Sequence, residues 1–206
     1  MVFKRPRIYL ASQSPRRREL LKQIGITFDA LLLRTKPGRE GGVDETPYED
    51  EDPVEYVQRI CRAKAEAGWI AVEQRELRPY PVLAADTTVT LDGKIIGKPD
   101  NAEHAIEILR LLSGREHQVL TAVAVAFRGR LEMRLSTTTI EFDTLNDERI
   151  RRYMLTNEAH DKAGAYGIQG YAGAFVKRIE GSYTGVMGLP LYETVELLKL
   201  FGHPVP

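Results

Sequence analysis

Hydrophobic positions along the chain change period several times, and each change marks an element. Ile8–Ala11 is a short β-prone run, followed by Ser12, Ser14, Pro15 and then RRRELLKQI at helical spacing. Ser14 suits a helix cap, and Pro15 suits the first helical position, where its missing N–H costs nothing. Gly25 fits a helix stop, and Phe28–Leu33 predicts a second strand. Residues 34–52 are charged and hold Gly38, Gly41, Gly42 and Pro47, a pattern that predicts a long loop. Asp52, Pro53 and Glu55 make a capping-box-like start. Val54, Val57, Ile60, Cys61 and Ala65 then fall on one helical face.

Val82–Ala85 predicts a short buried strand ending at Asp86. Thr88–Leu91 and Lys94–Ile96 flank Asp92-Gly93, a dipeptide that tolerates positive φ and so predicts a hairpin. Asp100 and Glu103 open a helix with Ile106, Leu109 and Leu112 on its apolar face. Val119–Phe127 and Leu131–Phe142 predict two long strands around Arg128-Gly129. Asn146 caps a helix reaching about Leu155, and a glycine-rich stretch, DKAGAYGIQGYAG, follows. Phe175–Ile179 predicts a strand, and Pro190–Phe201 the closing helix. Strands and helices alternate early, with antiparallel hairpins in the middle, which predicts a mixed α/β fold and not a pure doubly wound sheet.

Composition narrows the class. The 206 residues suit one domain, or two small lobes sharing a core. The formal net charge is 0, with 29 basic and 29 acidic residues, which argues against a histone-like or polyanion-coating protein. The charges are unevenly laid out. Residues 1–40 hold ten basic and three acidic side chains, and residues 41–55 hold seven acids and no base. Much of this reads as solvated surface. The one cysteine, Cys61, excludes an internal disulfide and a multi-cysteine zinc site, and its helical face makes it core. His104, His117, His160 and His203 lack metal-ligand spacing. No apolar run approaches the roughly 20 residues of a membrane span, and the start does not read as a signal peptide, so a cytoplasmic, soluble protein is expected.

The chemistry-bearing residues are each ambiguous alone. There is no Walker A loop, since Gly97-Lys98 precedes Pro99, and there is no HExxH or GxSxG. SQSPRRRELL puts Arg16, Arg17 and Arg18 in the first turn of a helix, where the dipole disfavours cations. A bound phosphate would supply the reason, and three surface arginines are the alternative. Asp86 can hold a metal or activate water, or cap a turn. Lys98, between Gly97 and Pro99, can meet a phosphate or simply be solvated. Lys64 lies one step from the apolar face of its helix. Glu45 could share a divalent cation with Asp86, since magnesium sites use one or two carboxylates plus substrate phosphate oxygens. The glycines at 164, 167, 170 and 173 are either tight turns or a ligand-facing loop.

Taken in order, LASQSPRRRELL, VDETP, the AKA around Lys64, AADTTV, GKP, LSGREHQVLTAVAV, DKAGAYGIQG and IEGSYTGVMGLPLYET resemble the Maf family of nucleoside triphosphate pyrophosphatases over nearly the whole chain. The resemblance implies an ITPase-like α/β fold with a central mixed sheet, one domain of residues 1–206 with a cleft between two lobes, and usually a homodimer. It implies hydrolysis of a nucleoside triphosphate to the monophosphate and pyrophosphate with a divalent cation (magnesium, manganese or cobalt). It assigns Ser12, Arg16 and Arg17 to the phosphate-side turn. Glu45, Lys64, Asp86 and Lys98 take the catalytic positions, with Asp86 as general base and Asp86 and Glu45 as metal ligands. Arg in the SPRR turn, Thr87 after Asp86, and Gln169 in GIQG look like the branch acting on dTTP and UTP. The 7-methyl-GTP branch has Trp, Gln and Glu at the corresponding places. TKPGREGG between Leu33 and Glu45 puts Glu40 close by as a second acid for Glu45's position. The alternatives are a purine-directed or broad-range pyrophosphatase, and a nucleotide-binding regulator of septum formation. Neither a membrane nor a nucleic acid is an expected partner.

Overall fold

The structure, a computed structural model, describes residues 7–33 and 43–204. Among the described residues seven strands form one mixed sheet: β1 (Arg7–Leu10), β2 (Thr27–Ala30), β3 (Val82–Leu91), β4 (Lys94–Ile96), β5 (Glu116–Phe127), β6 (Arg130–Phe142) and β7 (Val176–Glu180). The order is β2-β1-β3-β5-β6-β7, with β4 paired beside β3. β1 runs parallel to both β2 and β3, and the other pairings are antiparallel. The mixed α/β expectation holds.

Alternation along β3 sorts the core into two layers, because successive side chains point to opposite faces. Val82 and Ala84 join one layer with Val57, Cys61, Ala65 and Val72 of α2 (Pro53–Gln74). Leu83, Ala85, Val89 and Leu91 join the other. That second layer takes Leu20 and Leu21 from α1 (Pro15–Gln23) and Ala105, Ile108, Leu109 and Leu112 from α3 (Ala102–Leu112). It also takes Ile150 and Tyr153 from α4 (Asp147–Met154), and Leu197 and Leu198 from α6 (Leu191–Leu200). α2 lies close on β3 at Gly68, where a Cβ would stand only 2.6 Å from Val82 Cγ1. A larger side chain there would push the helix off the sheet.

The helix starts follow their caps. Ser14 accepts from the Arg17 N–H, and Pro15 occupies the first helical position. Asp52 accepts from Val54 and Glu55 N–H at 2.8 and 3.2 Å, and Asn146 caps α4. α3 is capped by Asn101 and not by Asp100, since Asn101 Oδ1 accepts the His104 N–H at 2.8 Å. Gly25 stops α1 at φ +70°.

Other bounds also differ from the sequence pattern. β2 runs Thr27–Ala30 and not Phe28–Leu33, β5 starts three residues early at Glu116, and β1 and β7 are each shifted by one residue at both ends. A short helix, α5 (Tyr183–Val186), precedes α6. The larger correction concerns Asp86. The apolar run Val82–Ala85 does not end there. β3 continues through Asp86 to Leu91, because β5 pairs with it without a break from Val82↔Ala126 to Thr90↔Gln118. The strand tolerates a polar residue inside the apolar run because the ladder belongs to the backbone.

That continuation makes the cleft. On the side of β3 away from β5, β1 pairs only as far as Leu10↔Leu83, and β4 begins at Val89↔Ile96. Between them, β3 lacks a strand neighbour on that side among the described residues. This gap lies beyond the carboxyl end of β1, where open α/β sheets place ligands.

Candidate active site

A cleft of about 580 Å³ occupies this gap. Ser12, Arg16, Arg17, Glu45, Lys64, Asp86, Thr87, Lys98 and Gln169 all line it. Residues scattered over more than 150 positions of sequence are therefore brought to one place, by β1 and α1, by α2, by β3, and by the loops after β4 and α4.

Asp86 is 7% exposed. Its parity on β3 aims it at the α2 layer, where Lys64 Nζ donates to its Oδ1 at 2.7 Å. The same ammonium lies 2.8 Å from Glu45 Oε1. Asp86 Oδ2 has no hydrogen-bond partner among the described residues. Burial raises the Asp86 pKa. Lys64 and Arg17 oppose that shift, and Glu45 adds to it. A buried carboxylate with one oxygen held and one uncommitted is placed to take a proton.

Thr87 falls on the opposite face, toward α1 and α5. Arg17 reaches it from α1. Arg17 Nε donates to the Gly188 carbonyl at 2.7 Å, Nη1 to Ser12 Oγ at 3.2 Å, and Nη2 to Thr87 Oγ1 at 3.3 Å. Ser12 Oγ also accepts the Ser14 N–H at 3.2 Å, which closes the turn into the helix. Burial lowers the Arg17 pKa from its high reference, with Asp86 opposing, and the side chain remains a cation. Arg16 is partly buried at the start of α1. Of the three arginines, Arg16 and Arg17 line the cleft and Arg18 does not.

Lys98 and Gln169 are exposed, with no hydrogen-bond partner among the described residues. Their loops are tied together by Gly164 N–H donating to the Gly97 carbonyl at 3.0 Å. Gly164 has φ +72°, a tight turn that only glycine adopts without strain. Gly167 lines the cleft. The tight-turn reading of the glycine-rich stretch therefore holds at Gly164. Glu40 lies outside the described residues, as does the TKPGREGG segment.

Sequence reasoning assigned no role to several neighbours. Tyr56 donates its O–H to the Glu45 carbonyl at 3.0 Å, and burial with nearby Asp86 and Glu45 pushes its pKa up to about 12. Arg59 grips Glu51 through Nε at 2.6 Å and Nη2 at 2.7 Å. It also donates to the Thr46 carbonyl at 3.1 Å and stacks 4.0 Å over Tyr48. These two residues hold the Glu45 loop to α2. Arg59 could have been noticed as a base placed soon after an acidic run. Asp161, Lys162 and Tyr166 also line the cleft. Cys61 is core, as its helical face predicted: its S–H points to the Ala84 carbonyl at 3.7 Å, and burial pushes its pKa up to about 12.

Could these residues hold a divalent cation? Among the described residues, no three His, Cys, Asp or Glu side chains gather into a protein-only cage. Two carboxylates do converge, and the Lys64 ammonium lies within 2.8 Å of both, so the spot stabilises positive charge. Hard oxygen donors from Asp86 and Glu45, completed by substrate oxygens, fit magnesium or manganese.

Comparison with known proteins finds relatives along nearly the whole chain. A family described as Maf-like protein matches residues 7–201. A dTTP/UTP pyrophosphatase of Nitrosomonas europaea is 56% identical over 195 residues, covering 95% of this chain and 94% of its own. The same-named proteins of Aromatoleum aromaticum and Dechloromonas aromatica are 53% and 55% identical, covering 97% and 95% of this chain and 97% and 98% of their own. Among solved structures, the Staphylococcus aureus Ham1 protein is similar over 66% of this chain and 71% of its own, with a TM-score of 0.46 and 18% identity.

Proposed function

The chain belongs to the Maf-like family, and from that premise we propose that it hydrolyses dTTP and UTP, and modified pyrimidine nucleotides of the same shape, to the monophosphate and pyrophosphate. The observation that carries the proposal is Asp86: a buried carboxylate, one oxygen held by Lys64, in a cleft that also gathers Arg16, Arg17 and Lys98.

The triphosphate enters with its charge facing Arg16, Arg17, Lys64 and Lys98, and with Ser12 and the start of α1 offering polar contacts. Water attacks the α-phosphorus. A new P–O bond forms there, and the bond between the α-phosphorus and the oxygen bridging to the β-phosphorus breaks. Asp86 accepts the water's proton, and the electron pair of the broken bond leaves with pyrophosphate. The lysines and arginines hold the departing charge, so catalysis is mostly positioning and electrostatics. Asp86 and Glu45 would hold a divalent cation, which when bound polarises phosphate oxygens. Gln169 carries both an amide donor and an acceptor, which suits a pyrimidine edge. Thr87 is small and leaves room beside it.

The proposal extends to residues 1–206 as one domain of two lobes around one cleft, to a homodimer and to a cytoplasmic setting. The test is a turnover panel over dTTP, UTP, CTP and GTP derivatives with magnesium, manganese or cobalt, products separated by anion exchange. dTMP and UMP in one-to-one ratio with pyrophosphate support the reading. Equal rates on GTP derivatives favour the broad-range alternative. Release of single phosphate contradicts both.

A further inference from the structure

Thr121 is a hydroxyl in the middle of the apolar strand β5, and it is fully buried. It does not line the cleft. Its Oγ1 lies 2.8 Å from the Gly185 carbonyl oxygen. A carbonyl only accepts, so the one proton of Thr121 is spent there. Thr87 Oγ1 lies 3.0 Å from Thr121 Oγ1, and with the Thr121 proton committed, Thr87 must be the donor of that bond. Thr87 is left with lone pairs, and one of them receives Arg17 Nη2 at 3.3 Å. The chain of bonds thus has a single direction: Arg17 to Thr87 to Thr121 to the Gly185 carbonyl.

The segment that ends this chain also supplies the Gly188 carbonyl, 2.7 Å from Arg17 Nε. Gly188 sits at φ +105°, and a Cβ there would stand 3.5 Å from Thr87 Oγ1 and 3.6 Å from Arg17 Nε. Backbone conformation calls for glycine at this point, and a Cβ would meet both groups only at ordinary contact distance. A guanidinium has five N–H groups. Gly188, Ser12 and Thr87 take one each, which leaves one on each terminal nitrogen for an incoming anion. The plane of Arg17 is therefore set before substrate arrives, the condition under which a charged donor stabilises developing charge without reorganising.

We propose that Thr121 is a positioning residue for the pyrophosphatase reaction. Through Thr87 it fixes the guanidinium plane of Arg17, because the Thr87 proton is spent on Thr121 and a Thr87 lone pair is left facing Arg17 Nη2. The inference rests on the function proposed above, and the two can fail separately.

The experiment compares wild type, Thr121→Val, which keeps the shape and removes the hydroxyl, and Thr121→Ser, which keeps the hydroxyl. Steady-state kinetics with dTTP and GTP and thermal melts are recorded for each. Thr121→Val is expected to raise KM for dTTP about tenfold with a smaller fall in kcat, the effect of misplacing roughly one charge-assisted contact. Thr121→Ser is expected to recover most of that loss. Adding Thr121→Val to Arg17→Ala is expected to change nothing further, because the link then ends on an absent side chain. Thr87→Val cuts the same link from the cleft side and is expected to show the same rise in KM, which keeps the test open if Thr121→Val fails to fold. An unchanged KM in Thr87→Val, a Ser variant as impaired as Val, or additive losses on the Arg17→Ala background would each overturn the proposal. Failure of wild type to release pyrophosphate from dTTP would instead overturn the function beneath it.

Discussion

Arg17 and Lys98 are both cations of the same cleft, and they are held in opposite ways. Arg17 is bonded along its whole edge, to a backbone carbonyl and two hydroxyls contributed by the β1–α1 turn, β3 and the α5–α6 turn. Lys98 stands exposed in a loop, with no partner among the described residues, and Gln169 does the same in the loop that Gly164 ties to it. Glu45 lies between these extremes. Its backbone is pinned by Tyr56, its loop by Arg59, and its carboxylate is about half exposed beside Lys64. The difference teaches a division of labour. Every nucleoside triphosphate presents the same phosphate chain, so the group that meets it benefits from being fixed in advance. On the proposed function Lys98 would meet the same chain from a side chain free to follow it, and Gln169, proposed for the pyrimidine edge, stands equally free on a loop.

The sharpest way to probe that contrast begins with Asp86, the group between the two. Asp86→Asn is expected to lower kcat by about 10²–10⁴, the usual contribution of a general base. Burial already disfavours the ionised form of this side chain in the folded protein. Such a carboxyl stabilises the fold most below its unfolded pKa, and that contribution is lost as pH rises through the raised folded value. At pH 7.5 the Asn variant should therefore melt at the same temperature or higher. A variant that loses activity together with its fold would show Asp86 to be structural.

Next come the two cations. Arg17→Lys keeps the charge and loses the planar fork, and it is expected to lower kcat/KM by about 10–100-fold, the worth of one or two charged hydrogen bonds. Lys98→Arg keeps a charge on a free side chain and should change kcat/KM by no more than about threefold. Equal losses in both, read from initial rates on dTTP, would erase the distinction between a fixed and a free cation.

A smaller effect is expected at the clamp. Arg59→Ala should lower kcat/KM about tenfold by loosening the Glu45 loop, given that one bidentate pair and one stacked contact are lost. In a Glu45→Gln background the same change should have little further effect, because the loop then carries no carboxylate to place. Additive losses would mean that Arg59 serves stability and not Glu45.

The smallest effect leaves catalysis aside. His117 is 2% exposed, its Nε2 lies 2.9 Å from Tyr166 Oη, and burial pushes its pKa down to about 4. Between pH 6.5 and 4 the unfolded chain binds this proton and the folded chain does not, so stability falls as pH falls through that window. The loss is on the order of 3 kcal/mol at the acid end. His117→Gln should flatten the melting temperature against pH between those limits relative to wild type. Parallel curves for the two proteins would mean that His117 is protonated in the fold.

How far the sequence reveals this depends on which physical signal each residue leaves. Caps and turns were legible, because Ser14-Pro15, Asp52-Pro53, Asn146 and Asp92-Gly93 act through their own backbone neighbours. The nine residues singled out as site candidates all reach one cleft, and motif order had grouped them. The full length of β3 was not legible, because Asp86 interrupts the apolar run and only the partner strand β5 shows that pairing continues. Thr121 left a faint sign, one hydroxyl in an apolar strand, but its link to Arg17 runs through Thr87, 34 positions from Thr121 and 70 from Arg17. Such links are made by tertiary packing and have no local spacing to read.

The most direct measurement is hydrolysis of dTTP in water labelled with heavy oxygen, followed by mass analysis of both products. Attack at the α-phosphorus, with Asp86 taking the proton from that water, predicts one labelled oxygen in dTMP and none in pyrophosphate. Label in pyrophosphate with unlabelled dTMP would place the attack at the β-phosphorus and contradict the cleft as described.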